Sequence, residues 1–145
     1  MKTSHIRAAD VEERWYLFDA SEFTLGRMAA DIAMRLMGKD RPTYTPSELG
    51  GAHVVVVNSE KVRVTGKKES DKEYQRYSGY PGGLYVRNLE TMRQQKPNDV
   101  VKLAVRRMLP KTRLGKSMLS RLKVYSGEDH PHSAQAPEKV EKLLR

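Results

Sequence analysis

Four consecutive valines at positions 54–57 constrain the fold more than any other feature of this sequence. An unbroken β-branched run is typical of a strand covered on both faces, and such strands belong mainly to parallel sheets. A second apolar segment, residues 15–19, has the length and composition of a short buried strand. Neighbouring parallel strands need a crossover connection, which is usually a helix. Residues 15–58 therefore predict one βαβ unit.

The helix of this unit is predicted over residues 25–37, with Thr24 as its N-cap and Gly38 just beyond its end. At 100° per residue its apolar face consists of Leu25, Met28, Ala29, Ile32, Ala33 and Leu36. Arg27, Asp31 and Arg35 follow one another at i, i+4 spacing on the opposite side. The pattern predicts an amphipathic helix with a charged outer side.

The middle of the chain predicts a hairpin. Residues 73–78 and 84–88 have strand composition, and the loop at 79–83 contains three glycines that permit positive φ and a close approach of the backbone. Tyr74, Tyr77, Tyr80 and Tyr85 alternate here with Arg76 and Arg87. This arrangement can stack on unpaired bases and bind phosphates, although a tyrosine-faced hairpin that covers a small core explains Tyr74 and Tyr77 equally well.

Two helices are predicted next, over residues 98–109 and 112–122, with Pro110 ending the first. In the first helix the residues expected to face inward are Val100, Val101, Ala104, Val105, Met108 and Leu109. A strand is expected at 123–125, and Pro137 is expected to open a short terminal helix.

This region also holds most of the net charge. Residues 100–127 contain eight Lys and Arg side chains and no acid, in a chain whose net charge is +9. Like charges one helical turn apart repel, so such a stretch needs a partner that supplies anions. Solvated helix faces normally mix both signs, and a helix lying on anionic lipid would carry bulky aromatics, which 112–122 lacks. A polyphosphate backbone fits best.

The sequence does not contain the motifs of nucleotide-binding, zinc-binding or catalytic proteins. A phosphate-binding loop needs a glycine five residues before Gly115, Gly38 or Gly66, and Pro110, Ala33 and Lys61 stand there. His130 and His132 lie beside Glu128 and Asp129, but a proline separates the two imidazoles and the chain has no cysteine to complete a zinc set. We therefore expect no metal, no cofactor and no catalytic residues, and a histidine segment that is docked or faces RNA.

Cellular context follows from the same composition. The chain has no cysteine, no apolar run near the roughly 20 residues that a bilayer requires, and a polar start at residues 1–5. We expect a cytoplasmic protein with a single domain over residues 1–145 that contacts no membrane and is not a homo-oligomer. Its ends, residues 1–13 and 138–145, are polar and are expected to be flexible.

Particular strings resemble one family. MLPKTRLG at 108–115, LKVYSG at 122–127 and HPHSAQAP at 130–137 are similar to the signature of the bacterial-type large-subunit ribosomal protein L13 family. LGRMA at 25–29, YTP at 44–46, the valine run and YPGGL at 80–84 precede them in the same order as in that family. Arg107 departs from the resembled pattern, which commonly has glycine there.

The resemblance implies an α/β fold: a three-layer α/β/α single domain with a short, mainly parallel sheet, an inserted hairpin and a basic helix pair. It implies a structural protein, not an enzyme, that binds large-subunit (23S-type) rRNA, joins the subunit early in assembly and contacts neighbouring ribosomal proteins. A regulatory RNA-binding protein outside the ribosome and a nucleic-acid-processing enzyme are the alternatives. An enzyme would need paired carboxylates near the basic face, where Asp99 and Glu128 merely flank it.

The residues expected to contact RNA are basic, aromatic or glycine positions. They are Lys39, Arg41, Lys67, Lys68, Arg76, Tyr80, Gly82, Gly83, Arg106, Arg107, Lys111, Arg113, Lys116, Arg121, Lys123, His130 and His132.

Overall fold

A computed structural model describes residues 5–144 of the chain. In this range the strands are β1 (Arg14–Asp19), β2 (Ala52–Val57), β3 (Glu73–Tyr77), β4 (Leu84–Asn88), β5 (Leu122–Val124) and β6 (Glu138–Lys139). The α-helices are α1 (Leu25–Met37), α2 (Lys68–Asp71), α3 (Leu89–Gln95), α4 (Pro97–Met108) and α5 (Arg113–Ser120). None of these helices is long and apolar enough to cross a bilayer.

A four-stranded sheet with the order β5-β2-β1-β6 forms the centre, and all its neighbours are parallel. Tyr16 lies opposite Val54, which lies opposite Leu122 on the other side. The βαβ unit, the mixed α/β fold with a mainly parallel sheet, and the antiparallel β3–β4 hairpin are therefore confirmed.

The order of the strands decides which face each connection covers. The connections from β1 to β2 and from β2 to β5 move across the sheet in one direction, so right-handed crossovers place α1 and α4 on the same face. These two helices pack against each other. Phe18, Ile32 and Val101 are fully buried in the core that results.

The second face packs against the chain that follows β5. The connection from β5 to β6 runs back across the sheet, so a right-handed crossover places it on the face opposite α1. Trp15 points to this face because side chains alternate along a strand and Tyr16 points to the helices. Its ring stacks on His53 at 4.5 Å between centroids and lies 5.3 Å from the ring of His132.

The hairpin lies beside α3 and α4. Tyr74 is buried together with Leu89 and Met92, whereas Tyr77, Tyr80 and Tyr85 are exposed. Helix α3 was not predicted, because its seven residues contain only one apolar repeat, from Leu89 to Met92.

Three predictions for the C-terminal half were wrong: the end of a helix, the presence of a terminal helix and the burial of one side chain. Leu122 belongs to β5 and not to the second basic helix, because the Val54 amide donates to the Arg121 carbonyl and pairs this segment with β2. Pro137 opens no helix: Glu138–Lys139 pairs with β1, and the Val140 amide donates to the Leu17 carbonyl at 2.9 Å. Met108, predicted to face inward, is 43% exposed.

The outer side of α1 also differs from its prediction. Asp31 and Arg35 are buried, with Arg35 Nε donating to Asp31 Oδ2 at 3.3 Å and the guanidinium 4.5 Å from the ring centroid of Tyr16. The Leu144 amide donates to the other Asp31 oxygen. Residues after β6 thus cover a face that looked solvent-exposed. The flexibility expected for the ends stays a prediction, and residues 1–4 and 145 lie outside the described residues.

Thr24 precedes α1 as predicted, but its side chain caps no amide. The Leu25 amide donates instead to the carbonyl of Arg63 at 2.9 Å. A tertiary contact therefore satisfies the donor at the start of α1, and the segment around Arg63 is held against this helix end.

Candidate nucleic-acid interface

The basic charges of α4, α5 and the turn between them have no acidic partners in the part of the chain that the structure describes. Lys102, Arg106, Arg107, Lys111, Arg113 and Lys116 are exposed, and none forms an ion pair within residues 5–144. The apolar sides of both helices face the core through Val101, Val105 and Met118. Burial of one side therefore fixes the basic side toward solvent.

The turn between α4 and α5 is tightly built. Thr112 caps α5, since its side-chain oxygen accepts a hydrogen bond from the Gly115 amide at 3.2 Å. Gly115 is buried against the carbonyl oxygen of Pro110, where any side chain would overlap the backbone. The corner cleft, a space of about 440 Å³ at this turn, is lined by Arg106, Arg107, Lys111 and Lys116 among others.

A second basic space, the hairpin cleft of about 960 Å³, lies between the hairpin and α4. Arg76 and its cross-strand partner Tyr85 point into it with Arg87, because these residues share one face of the hairpin. The opposite wall carries Lys102, Arg106 and Arg107. The fold thus brings the predicted Arg76 close to the predicted Arg106 and Arg107.

A third space, the α1 cleft of about 1150 Å³, opens between the N-terminal end of α1, residues 63–72 and α4. Its basic residues are Arg27, Arg63, Lys67, Lys68, Lys72 and Arg107. Lys72 Nζ lies 5.5 Å and Arg107 Cζ lies 6.0 Å from the ring centroid of Tyr74. Burial, together with Arg107 and Lys68, lowers the pKa of Lys72. Arg107 lines all three clefts.

Lys123 points away from these clefts. It alternates with the buried Leu122 and Val124, so its side chain lies on the second face of the sheet, as His53 does. Burial, and then the charge of Arg121, lowers the pKa of His53. Arg121 and Lys123 are therefore grouped with this face and not with the corner cleft.

The two predicted histidines of the tail also lie on the second face. Tyr125 Oη and His132 Nε2 are 2.9 Å apart, and the His132 amide donates to His130 Nδ1 at 3.2 Å. Between residues 5 and 144, no three His, Asp or Glu side chains are grouped so that they could hold a metal ion. The segment is docked on the sheet and remains half-exposed at both imidazoles.

Lys39 and Arg41 lie past the C-terminal end of α1, roughly 20 Å along this helix from the α1 cleft. Arg41 Nη1 donates to the carbonyl of Glu12 at 2.6 Å, so this side chain ties its loop to the chain before β1. Lys39 is exposed, with its ammonium 6.0 Å from the ring of Tyr44.

The hairpin tip presents Tyr80, Gly82 and Gly83. Tyr80 is 76% exposed, and its carbonyl accepts a hydrogen bond from the Gly83 amide. Gly82 has a φ of 73°, a backbone angle that residues with a side chain rarely adopt. The turn therefore holds the tyrosine ring out into solvent.

Comparison of the sequence with known proteins shows the family of this chain. The family model for "Ribosomal protein L13" matches residues 13–131. The chain belongs to the ribosomal protein L13 family. It is 52% identical to the large ribosomal subunit protein uL13 of Aquifex aeolicus, over 97% of this chain and 98% of that protein. It is 51% identical to the uL13 protein of Chromobacterium violaceum, with 97% and 99% covered.

In this L13-family chain the matched residues extend from just before β1 to the start of the histidine segment. All three clefts lie within the match, whereas His132 and β6 follow it. The basic residues of the three clefts that were not among the expected contacts are Arg27, Arg63 and Lys72 in the α1 cleft and Arg87, Lys96 and Lys102 in the hairpin cleft. Arg63 and Lys72 stand in a stretch that also contains Glu60, Glu69 and Asp71, so its cations form no acid-free run that would single them out.

Proposed function

We propose that this chain is a structural component of the large ribosomal subunit and binds large-subunit rRNA directly through the basic helix pair α4–α5 and the glycine- and tyrosine-rich hairpin loop. The observation that carries the proposal is the acid-free stretch 100–127, whose exposed cations line the corner cleft and part of the hairpin cleft without an ion-pair partner in the described part of the chain. The names of its relatives, large ribosomal subunit proteins, support a place in that subunit.

Charge neutralisation is the proposed mechanism. RNA folding brings phosphates close together, and the side chains of Arg106, Arg107, Lys111 and Lys116 offset their repulsion. Arginine can fork across two phosphate oxygens, whereas lysine acts as a point charge. Arg106 and Arg107, which line both the corner cleft and the hairpin cleft, are therefore proposed to fix the angle between two RNA segments.

The rigid corner supports this role. Gly115 packs against Pro110 and Thr112 caps α5, so the two helices present their charges at a fixed angle before RNA arrives. Preorganised cations bind with less loss of conformational entropy. A protein that holds an RNA bend in this way is suited to act early in subunit assembly, in the cytoplasm and beside other ribosomal proteins, without catalysis.

Salt dependence tests the electrostatic mechanism. If about five side chains contact phosphate, a plot of log affinity for rRNA fragments against log salt concentration has a slope on the order of −4. The triple variant Arg106→Ala, Lys111→Ala, Lys116→Ala is expected to lose roughly three contacts and flatten the slope by about 2 to 3. Arg7→Ala with Lys142→Ala, which removes exposed cations elsewhere, is the control. A slope near zero for the unmodified chain would refute the mechanism.

Membership of the subunit needs a separate measurement. Tagged chain should sediment with large subunits through high-salt gradients, because a structural component stays bound. A chain found only in the free fraction, yet still bound to its own messenger or to another RNA, would favour the regulatory alternative. Turnover of an RNA substrate by the free chain would favour an enzyme.

A further inference from the structure

The α1 cleft carries five basic side chains that the charge-neutralisation mechanism does not use, in addition to Arg107, which it does. Six basic side chains line it against a single carboxylate, that of Asp71, and none of the six is ion-paired within residues 5–144. Lys72 is only half-exposed and has Arg107 and Lys68 as neighbours, so repulsion between cations is built into the wall. An anion in the cleft would relieve this repulsion.

Backbone donors point to the same kind of ligand. The Leu25 amide is bound to Arg63, and Thr24 offers no cap, which leaves the amides of Gly26 and Arg27 without acceptors in the described part of the protein. Free amides at a helix N-terminus favour an anion, and phosphate fits there well. A Cβ at Gly26 would meet nothing within 4 Å, so a ligand can approach this backbone closely.

Tyr74 gives an independent observation. Only 8% of this residue is exposed, its hydroxyl has no hydrogen-bond partner within residues 5–144, and the residue lines the α1 cleft as well as the hairpin cleft. A buried hydroxyl without a partner costs free energy that a bound acceptor would recover. Lys72 Nζ and Arg107 Cζ, which lie 5.5 and 6.0 Å from the ring centroid, would bring such an acceptor near.

The floor of the cleft is apolar. Leu25, Val64, Ala104 and Met108 line it, and Met108 is 43% exposed at the end of an otherwise buried arc of α4. A cleft for a phosphate alone needs no apolar floor. One that takes a nucleotide does, because the flat base must leave water as its phosphate binds.

We propose that the α1 cleft holds one unpaired nucleotide of RNA, with its phosphate at the Gly26 and Arg27 amides and its base over Ala104 and Met108. The inference rests on the proposed RNA binding and adds a second site that reads a single-stranded position. Arg27 and Arg63 flank the phosphate, and Tyr74 and Arg107 border the base.

The absence of cysteine makes this site directly testable, because one introduced thiol is the only attachment point. Thr65→Cys places a tethered iron chelate at the exposed rim of the α1 cleft, and Ser117→Cys places one on α5 beside the corner cleft. Each labelled chain is bound to large-subunit rRNA, and hydroxyl-radical cleavage is mapped. Dimethyl sulfate probing then reports which bases near each cleavage site are unpaired and protected.

The expected result is that Thr65→Cys cleaves a set of nucleotides separate from that of Ser117→Cys and centred on an unpaired base that the protein protects. Cleavage from Ser117→Cys alone would overturn the inference and leave the proposed function standing. No cleavage from either position would count against both. If Thr65→Cys cleaved only paired nucleotides, the proposal of a site for one unpaired nucleotide would be overturned. If the protein alone bound free AMP saturably, the assignment of the α1 cleft to RNA would be overturned.

Substitutions in the α1 cleft test whether RNA binds in this cleft or only lies near it. Arg27→Ala with Arg63→Ala should abolish the Thr65→Cys cleavage set, keep the Ser117→Cys set and flatten the salt slope by about 1.4, as for two contacts to a single strand. The control, Arg7→Ala with Lys142→Ala, should change neither set. Met108→Ala should remove base protection while cleavage persists; full protection in this variant would contradict the apolar floor.

Discussion

Gly115 lies so close to the carbonyl oxygen of Pro110 that no side chain fits between them. The contact closes the corner between α4 and α5, where Arg106, Arg107, Lys111 and Lys116 are presented together. A glycine inside a helix normally costs stability relative to alanine. Here the small residue is required, because the backbone before α5 folds back onto it.

Gly115→Ala is therefore expected to destabilise the protein by about 1 to 3 kcal/mol, as overpacking does. Urea denaturation measures this free energy of unfolding. Gly26→Ala is the matched control, since a Cβ there meets open space and alanine is the better helix former. A Gly115→Ala variant as stable as Gly26→Ala would contradict the described corner.

The buried ion pair of Asp31 and Arg35 is the basis of a second prediction about stability. Asp31→Leu leaves the buried guanidinium of Arg35 without its carboxylate, and such a loss costs about 3 to 5 kcal/mol. The double variant Asp31→Leu, Arg35→Met should recover much of that loss, because it removes both charges at similar volume. Thermal and urea unfolding of the original chain and the two variants measures these changes in stability. A double variant as unstable as Asp31→Leu would show that the lost hydrogen bond from the Leu144 amide to Asp31, and not the unpaired charge of Arg35, causes the destabilisation.

His53 links stability to pH. Burial and the charge of Arg121 lower its pKa in the folded chain, so the unfolded chain, with a histidine pKa near 6.5, binds the proton first. Stability is then retained above about pH 6.5 and falls as the pH drops toward the lowered pKa of the folded state. His53→Phe keeps a ring against Trp15 and should flatten this dependence between pH 7 and 5.

Fluorescence of Trp15, the only tryptophan, reports on the protonation of His53 because the two rings are stacked. The emission should change with pH in the original chain and less in His53→Phe. His5→Gln, a change at an exposed histidine, serves as the control and should leave both profiles unaltered. Equal pH profiles for all three chains would rule out a role for His53.

Tyr80 tests the hairpin tip. Tyr80→Ala should remove protection of the rRNA nucleotides that touch the tip and weaken binding by about 1 to 3 kcal/mol if its ring stacks on a base. Footprinting with and without the substitution measures this. Tyr44→Ala, at an exposed tyrosine after α1, is the comparison. Identical footprints for the original chain and Tyr80→Ala would exclude the tip as a contact.

Predictions from the sequence were accurate where neighbouring residues decide the structure. The valine run, the amphipathic repeat of α1 and the glycine-rich loop gave β2, α1 and the β3–β4 hairpin almost to the residue. Pro110 marked the corner because it cannot continue a helix. Leu122 was misassigned because its apolar spacing continues that of α5, while pairing with Val54 places it in a strand.

The candidate site likewise contains residues that the sequence predicts and residues whose position only the fold decides. The acid-free stretch predicts Arg106, Arg107, Lys111 and Lys116 as contacts from sequence alone, since charge density needs no fold, and the fold brings all four to the corner cleft. Lys123 was grouped with them, and only the alternation of β5 shows that it faces the other side of the sheet.

The sequence by itself determined the α/β class and the basic helix pair, because periodicity and charge are local properties of the chain; the anionic partner that it indicates stays a prediction. Only the tertiary structure decided that β6 joins the sheet edge, that Asp31 and Arg35 are buried beneath residues after it, and that Arg27, Arg63 and Arg107 converge on one cleft. Each of these depends on which distant segments meet. That choice is made by burial of the whole core, which no local pattern encodes.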